Sequence, residues 1–199
     1  MRQFASGGFR IWNLGREAKL VYTCFAVFAL LAIFVSVLFY EDLVGPRTAG
    51  VGGYYAGQVH ESAQAAAPDP SATGPKLDLP PDQKPEPLTV PVTYRKLLEV
   101  THFHLFTVPV FLLIIAHLFM LTGLSSRAKL WWIAGGWISS LLHIAAPWLI
   151  RYGSPGFSFL FPVTGALMAV TLTFMTAYPI MVMWAHRPDR AREAEPASN

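Results

Sequence analysis

THFHLFTVPVFLLIIAHLF, residues 101–119, places three histidines in one apolar run that has no Asp, Glu, Lys or Arg. A helix needs roughly 20 apolar residues to cross a hydrocarbon core about 30 Å thick. A lone segment in lipid must also satisfy its own backbone, which a helix does. The run is therefore predicted to be a transmembrane helix. Ionisable side chains at membrane depth are costly and usually mark a ligand site, a proton path or a polar partner. The same stretch is thus where a specific function is expected.

Three further runs share this character. They are 20–40 (LVYTCFAVFALLAIFVSVLFY), 130–150 (LWWIAGGWISSLLHIAAPWLI) and 157–184, and the histidine run extends over 101–124. None of the four holds a Lys, Arg, Asp or Glu. The links at 125–129 and 151–156 are short, which makes spans two, three and four antiparallel neighbours. The expected fold class is all-α: an integral membrane four-helix bundle with a long extracytoplasmic loop between helices 1 and 2. Thr93 follows Pro91 and can cap a helix that runs into span two. Gly135, Gly136, Ser139 and Ser140 on span three, and Thr164, Gly165, Ala166, Ala169 and Thr173 on span four, are small enough for close helix approach. Pro109, Pro147, Pro162 and Pro179 are expected to bend or loosen their helices.

Charge sets the orientation. The chain carries 15 Lys and Arg against 12 Asp and Glu. Its basic residues gather at helix ends: Arg10, Arg16 and Lys19 before span one, Arg127 and Lys129 between spans two and three, Arg187, Arg190 and Arg192 after span four. This is a topology signal and not a nucleic-acid footprint. The positive-inside rule puts residues 1–19, the 125–129 link and the tail 185–199 in the cytoplasm. Residues 41–100 then face the periplasm. The localisation expected is a bacterial inner membrane, multi-pass, with lipid and other membrane subunits as partners.

The first apolar run exceeds the roughly 7–15 residues of a signal-peptide core and no A-x-A site follows, so it reads as a retained anchor. The single Cys24 allows no internal disulfide and no C-x-x-C-H haem attachment. Residues 3–14, with Phe4, Phe9, Ile11, Trp12 and Leu14, are either an interfacial segment or a partly ordered tail. Residues 41–92 are Gly-rich, then Pro- and Ala-rich, and their second half is expected to be an extended linker. Tyr54 and Tyr55 are expected to anchor this stretch to lipid, or else to a neighbour. His60 and His186 are expected to be solvated.

Helix geometry separates the histidines. At 1.5 Å and 100° per residue, His117 lies roughly 20–22 Å deeper than His102 and His104. His102 and His117 are about 60° apart around the axis, His104 and His117 about 140°, and His102 and His104 point almost oppositely. His143 on span three falls between the outer pair and His117 in depth, nearer the outer pair. One interhelical site follows, from His102 or His104 with His143. A b-type haem held by two imidazoles is the sharp reading. His117 then needs another partner or another subunit. A zinc or copper site at His102, His104 and His143 is a third option, although no carboxylate or thiol completes its shell. Structural histidines bridging helices are the bland reading. Glu99 is expected to pair with Arg95; beside His102 it could also orient an imidazole or take protons from a quinol.

RTAGVGGYYAG (47–57), LLEVTHFHLF (97–106), HLFMLTGL (117–124) and APWLIRY (146–152) together resemble a family of small four-span bacterial inner-membrane proteins of no assigned activity, some of whose members carry a mistaken elongation-factor name. The resemblance implies a proteobacterial-type inner-membrane protein close to respiratory or cytochrome components. The chain is more weakly similar to four-helix membrane cytochromes b. Span two resembles half of their paired-histidine pattern, and span three, with His143 alone, departs from it. The expected function is a subunit of an electron-transfer complex. It would hold haem b between helices 2 and 3 through His102, His104, His117 or His143, and link the quinone pool to a periplasmic cytochrome. The alternative is a non-catalytic accessory subunit that braces a larger membrane assembly.

Overall fold

A computed structural model describes residues 10–45, 50–57 and 90–186. The expectations for His60, for the Pro-rich part of the linker and for the tail beyond residue 186 lie outside the described residues. Five α-helices are present among the described residues: α1 (Arg16–Val44), α2 (Gly50–Ala56), α3 (Tyr94–Met120), α4 (Ser126–Trp148) and α5 (Leu160–Ala185). All but α2 belong to segments long and apolar enough to cross a membrane. The protein is an all-α, multi-pass membrane four-helix bundle.

The sequence explains where these helices start and stop. The Thr93 side chain accepts a hydrogen bond from the Lys96 amide, so α3 begins where the sequence placed a cap. Ser125 caps α4 in the same way through the Ala128 amide. Helix α3 ends at Met120, short of the apolar run's end at Leu124. The Thr122 hydroxyl donates to the Phe119 carbonyl at 2.7 Å and the chain turns there. Pro147 withholds an N–H from the carbonyl one turn earlier, and α4 gives way to a π-helical turn at Leu149–Gly153. Pro162 does not interrupt α5, because in the first turn its missing N–H has no helical acceptor to lose.

The helices alternate in direction. One end of the bundle is basic, with Arg16, Lys19 and Lys129; the other is capped by α2. The main core joins Leu112, Ile115, Ala116 and Phe119 of α3 to Leu172 and Met175 of α5. Helix α4 enters this contact through a glycine. A Cβ on Gly136 would meet Leu112 Cδ2 at 3.4 Å and Met175 Sδ at 3.5 Å. Without water to expel between helices, such close packing is what holds a membrane bundle together. Trp132 stacks on Phe174 at 4.2 Å beside it.

At the basic end, the segment before α1 folds back on the bundle. Ile11 is fully buried among Leu118, Val182 and Met183, and its amide donates to the Leu121 carbonyl at 3.2 Å. Trp12 stacks on His186 at 4.8 Å, so His186 is an exposed residue with an aromatic partner. Lys19 is buried and donates to the Met183 carbonyl at 3.0 Å, near the C-terminus of α5 where a cation is favoured. Trp184 donates to the Thr23 hydroxyl at 3.0 Å. These bonds fasten α1, whose outer face exposes Phe28, Leu31, Phe34 and Phe39.

Gly136→Ala adds a methyl at ordinary contact distance and should leave stability nearly unchanged. Gly136→Leu should wedge α3, α4 and α5 apart at a cost of about 1–3 kcal/mol. Thermal unfolding of both variants in one detergent checks this, and a Leu variant as stable as the parent refutes the close approach.

Candidate functional site

His104 and His143 meet at the capped end. Both line one cavity of about 120 Å³, together with Tyr54, Tyr55, Lys96, Thr101 and Phe161. Of the two candidates on α3, the structure places His104 and not His102 opposite His143. His102 lies on the exposed face of α3 and packs its ring against Phe106 at 5.0 Å and Phe103 at 5.9 Å. The opposed directions of His102 and His104 follow from their two-residue spacing. His117 is exposed on α3, about 3.6 helical turns below His104 and about 140° from it around the axis.

Hydrogen bonding fixes both imidazoles in one tautomer. His104 Nδ1 lies 2.7 Å from the Val100 carbonyl. A carbonyl only accepts, so Nδ1 carries a proton, and in the neutral ring Nε2 is the acceptor. His143 Nδ1 lies 3.1 Å from the Thr164 hydroxyl oxygen. That hydroxyl spends its own proton on the Leu160 carbonyl at 2.6 Å, so its oxygen accepts from His143 Nδ1–H. Again the neutral ring has its acceptor on Nε2. Two imidazoles on neighbouring helices, when neutral, thus have Nε2 as their acceptor nitrogens and line one small space.

Packing holds His143 in place. Its ring lies on Phe161 at 4.4 Å, and a Cβ on Gly165 would sit 3.1 Å from its Cε1. Glycine at 165 is what lets α5 come this close to the imidazole. Thr164, 4% exposed, was read from the sequence only as a small packing residue. No local signal marks it as the partner of His143, because the pairing depends on the register of two antiparallel helices.

Helix α2 covers this end. Tyr54 and Tyr55 pack edge-to-face at 4.9 Å, and Tyr55 lies 5.3 Å from Phe161. Instead of anchoring in lipid, the two rings face the bundle, because Phe161, Ile150 and Val44 offer them an apolar seat. The Val92 amide donates to the Tyr55 carbonyl at 3.3 Å, and the Val92 carbonyl accepts from Arg151 Nε at 3.1 Å. One residue's main chain therefore ties α2 to the turn after α4. Gly52 lets α2 seat against the 155–159 turn, where a Cβ would meet Ser158 Oγ at 2.9 Å. Burial, with a smaller contribution from Tyr54, pushes the Tyr55 phenol above its ordinary value of 10.0. Tyr55 is thus a neutral hydroxyl at physiological pH.

Residues 45–190 match Aq_1264_TM, a transmembrane helical domain. The chain belongs to this family. No curated protein and no solved structure matches the chain. The matched region contains α2 to α5 and so every residue of the pocket; α1 lies outside it.

Two other expectations change. Glu99 pairs with Lys96 at 3.4 Å and not with Arg95, both partners being exposed. Such a surface pair contributes about 0–1 kcal/mol. Among the described residues no three His, Cys, Asp or Glu side chains converge. His102, His104 and His143 therefore do not form one metal shell within the chain, because His102 points away from the other two.

Thr164→Val removes the acceptor of His143 Nδ1–H without changing size. Stability should fall by about 1–3 kcal/mol as a buried donor is left unpaired, and ¹⁵N imidazole shifts should show His143 losing its single tautomer. Unchanged shifts would refute the pairing. The Tyr55 shift carries a sign as well. A phenol whose folded value is raised stabilises the fold fully below pH 10.0, and that contribution is lost as pH climbs toward the folded value. Ultraviolet titration should show a late-ionising tyrosine that Tyr55→Phe removes.

Proposed function

We propose that this protein is a subunit of a respiratory-type electron-transfer complex in a bacterial inner membrane, and that its His104–His143 pocket receives the ring of a quinol. The observation that carries the reading is that two imidazoles on neighbouring helices, each bonded through Nδ1, line one cavity. A quinol presents two hydroxyl donors, and two neutral imidazoles are acceptors suited to take its protons near neutral pH. The cavity's volume of about 120 Å³ is somewhat below the about 150 Å³ of a cavity that holds one benzene ring, so a quinol ring enters with a small outward shift of the walls.

Haem b was the cofactor expected here. A cavity of about 120 Å³ is smaller than the roughly 300–1,000 Å³ of sites for drug-sized ligands, so the quinol ring is the ligand proposed for it, and no step is assigned to haem. On oxidation a quinol releases two protons and two electrons. The imidazoles take the protons, and the electrons leave to a redox centre of a partner, for which a periplasmic cytochrome is the natural class. The basic end, with Arg16, Lys19, Arg127 and Lys129, is assigned to the cytoplasm by the positive-inside rule. The pocket then opens on the periplasmic side, where released protons add to the membrane gradient.

The accessory-subunit reading has one observation of its own. His102 sits on the exposed face of α3, which is otherwise apolar with Phe106, Val110 and Leu113. Polar groups on such a face favour a neighbouring subunit over lipid. The two readings are compatible.

Calorimetric titration of the purified protein with a short-chain benzoquinol should show one site per chain. His104→Ala and His143→Ala should each weaken binding at least tenfold, while His102→Ala should not. Equal binding by all four proteins would overturn the assignment. A reduced-minus-oxidised haem b spectrum abolished by His143→Ala would overturn it as well.

A further inference from the structure

A second cavity, of about 210 Å³, opens between α3 and α4 immediately below the first. Ile144 lines both, so the two are neighbours across this one side chain. Their linings differ in kind. The upper one holds imidazoles, phenols and Lys96; the lower one is walled by Leu105, Val108, Pro109, Leu112 and Leu141 among others. Leu105, Ile138 and Leu141 are all at least half exposed, so the lower cavity is open sideways, toward lipid.

The helices are not fastened at this level. Above it, Trp148 donates to the Thr101 hydroxyl at 2.8 Å. Below it, Gly136 lets α4 close on Leu112. Between these two fastenings, Pro109 has no N–H to give the Leu105 carbonyl, and the Ser140 hydroxyl is buried without a partner. A seam with an orphaned hydroxyl, on a helix pair in which one backbone N–H is missing, is a weak point in a membrane protein, where such groups are normally satisfied.

We infer that the two cavities form one amphipathic cleft, and that its ligand is a ring lipid with a long apolar chain: the ring sits by His104 and His143, and the chain leaves through the α3–α4 seam into the bilayer. The inference rests on the quinol reading of the upper pocket and adds the ligand class, a membrane quinol and not a water-soluble one. An apolar chain gains little by leaving lipid for an apolar groove. The seam therefore supplies passage more than affinity, and blocking it acts as a clash.

The test compares one benzoquinol ring with and without a decyl chain, bound to the full chain in phosphatidylcholine nanodiscs. Leu141→Trp fills the seam from its lipid side. Leu142→Trp is the control, on the same helix, also exposed and outside the lining. The decyl ligand should lose at least tenfold in affinity in Leu141→Trp and nothing in Leu142→Trp. The tail-less ring should bind all three proteins alike, which also shows that the variants fold. Tight binding of the decyl ligand to Leu141→Trp overturns the exit route while the ring site stands. If neither ligand binds the parent protein, the quinol reading falls and this inference with it.

Discussion

In a bilayer a polar side chain has no water to fall back on, and the architecture follows from where each one finds its partner. Most turn back on their own helix. Thr23, Ser36, Thr107 and Thr171 all donate to the carbonyl four residues earlier. Such bonds satisfy the hydroxyl and join nothing. A few bonds cross between helices: Lys19 to Met183, Trp184 to Thr23, Trp148 to Thr101 and His143 to Thr164. They cluster at the two ends of the bundle. The middle is held by close packing at Gly136 and by the aromatic stack of Trp132 on Phe174.

That division explains why the pocket lies at the capped end. The crossing bonds at the basic end include a cation on a helix-terminal carbonyl beside the Trp184–Thr23 bond, and buried Ile11 closes that end. Those at the capped end use imidazole, indole and hydroxyl groups, and the imidazole has a second ring nitrogen that this bond does not use. Val92 matters here out of proportion to its size. Its amide and carbonyl, bonded to Tyr55 and Arg151, hold a roof over His104 and His143 that no apolar contact alone would position.

The sequence showed the spans, their antiparallel order and the cap at Thr93, because hydropathy and capping are local properties. It also showed that His102 and His104 diverge, since this needs only the helical repeat. It left open which of them faces α4. That choice depends on the rotation of α3 about its axis, which the packing of Leu112, Ile115 and Phe119 settles. Thr164 was illegible for the same reason, its role being a matter of register with α4. Tyr54 and Tyr55 were misread because a Gly-rich loop suggests a surface. Here the glycines instead allow a short helix to pack tightly, as at Gly52 against Ser158.

The unpaired Ser140 hydroxyl and the missing N–H of Pro109 on the α3–α4 seam bear on how such a site could stay both specific and accessible. A fully satisfied seam would hold its ring well and admit it slowly, since each crossing bond adds to the barrier for parting the helices. A seam with no fastenings would not keep His104 and His143 at a fixed spacing. The observed arrangement separates the tasks. Trp148 with Thr101 and Gly136 with Leu112 fix the spacing from above and below, and Pro109 with Ser140 leaves the stretch between them unbonded. Proline in the middle of α3 thereby has a use beyond bending the helix: it withholds a backbone N–H from its own helix, at the depth where a ligand from the bilayer has to pass.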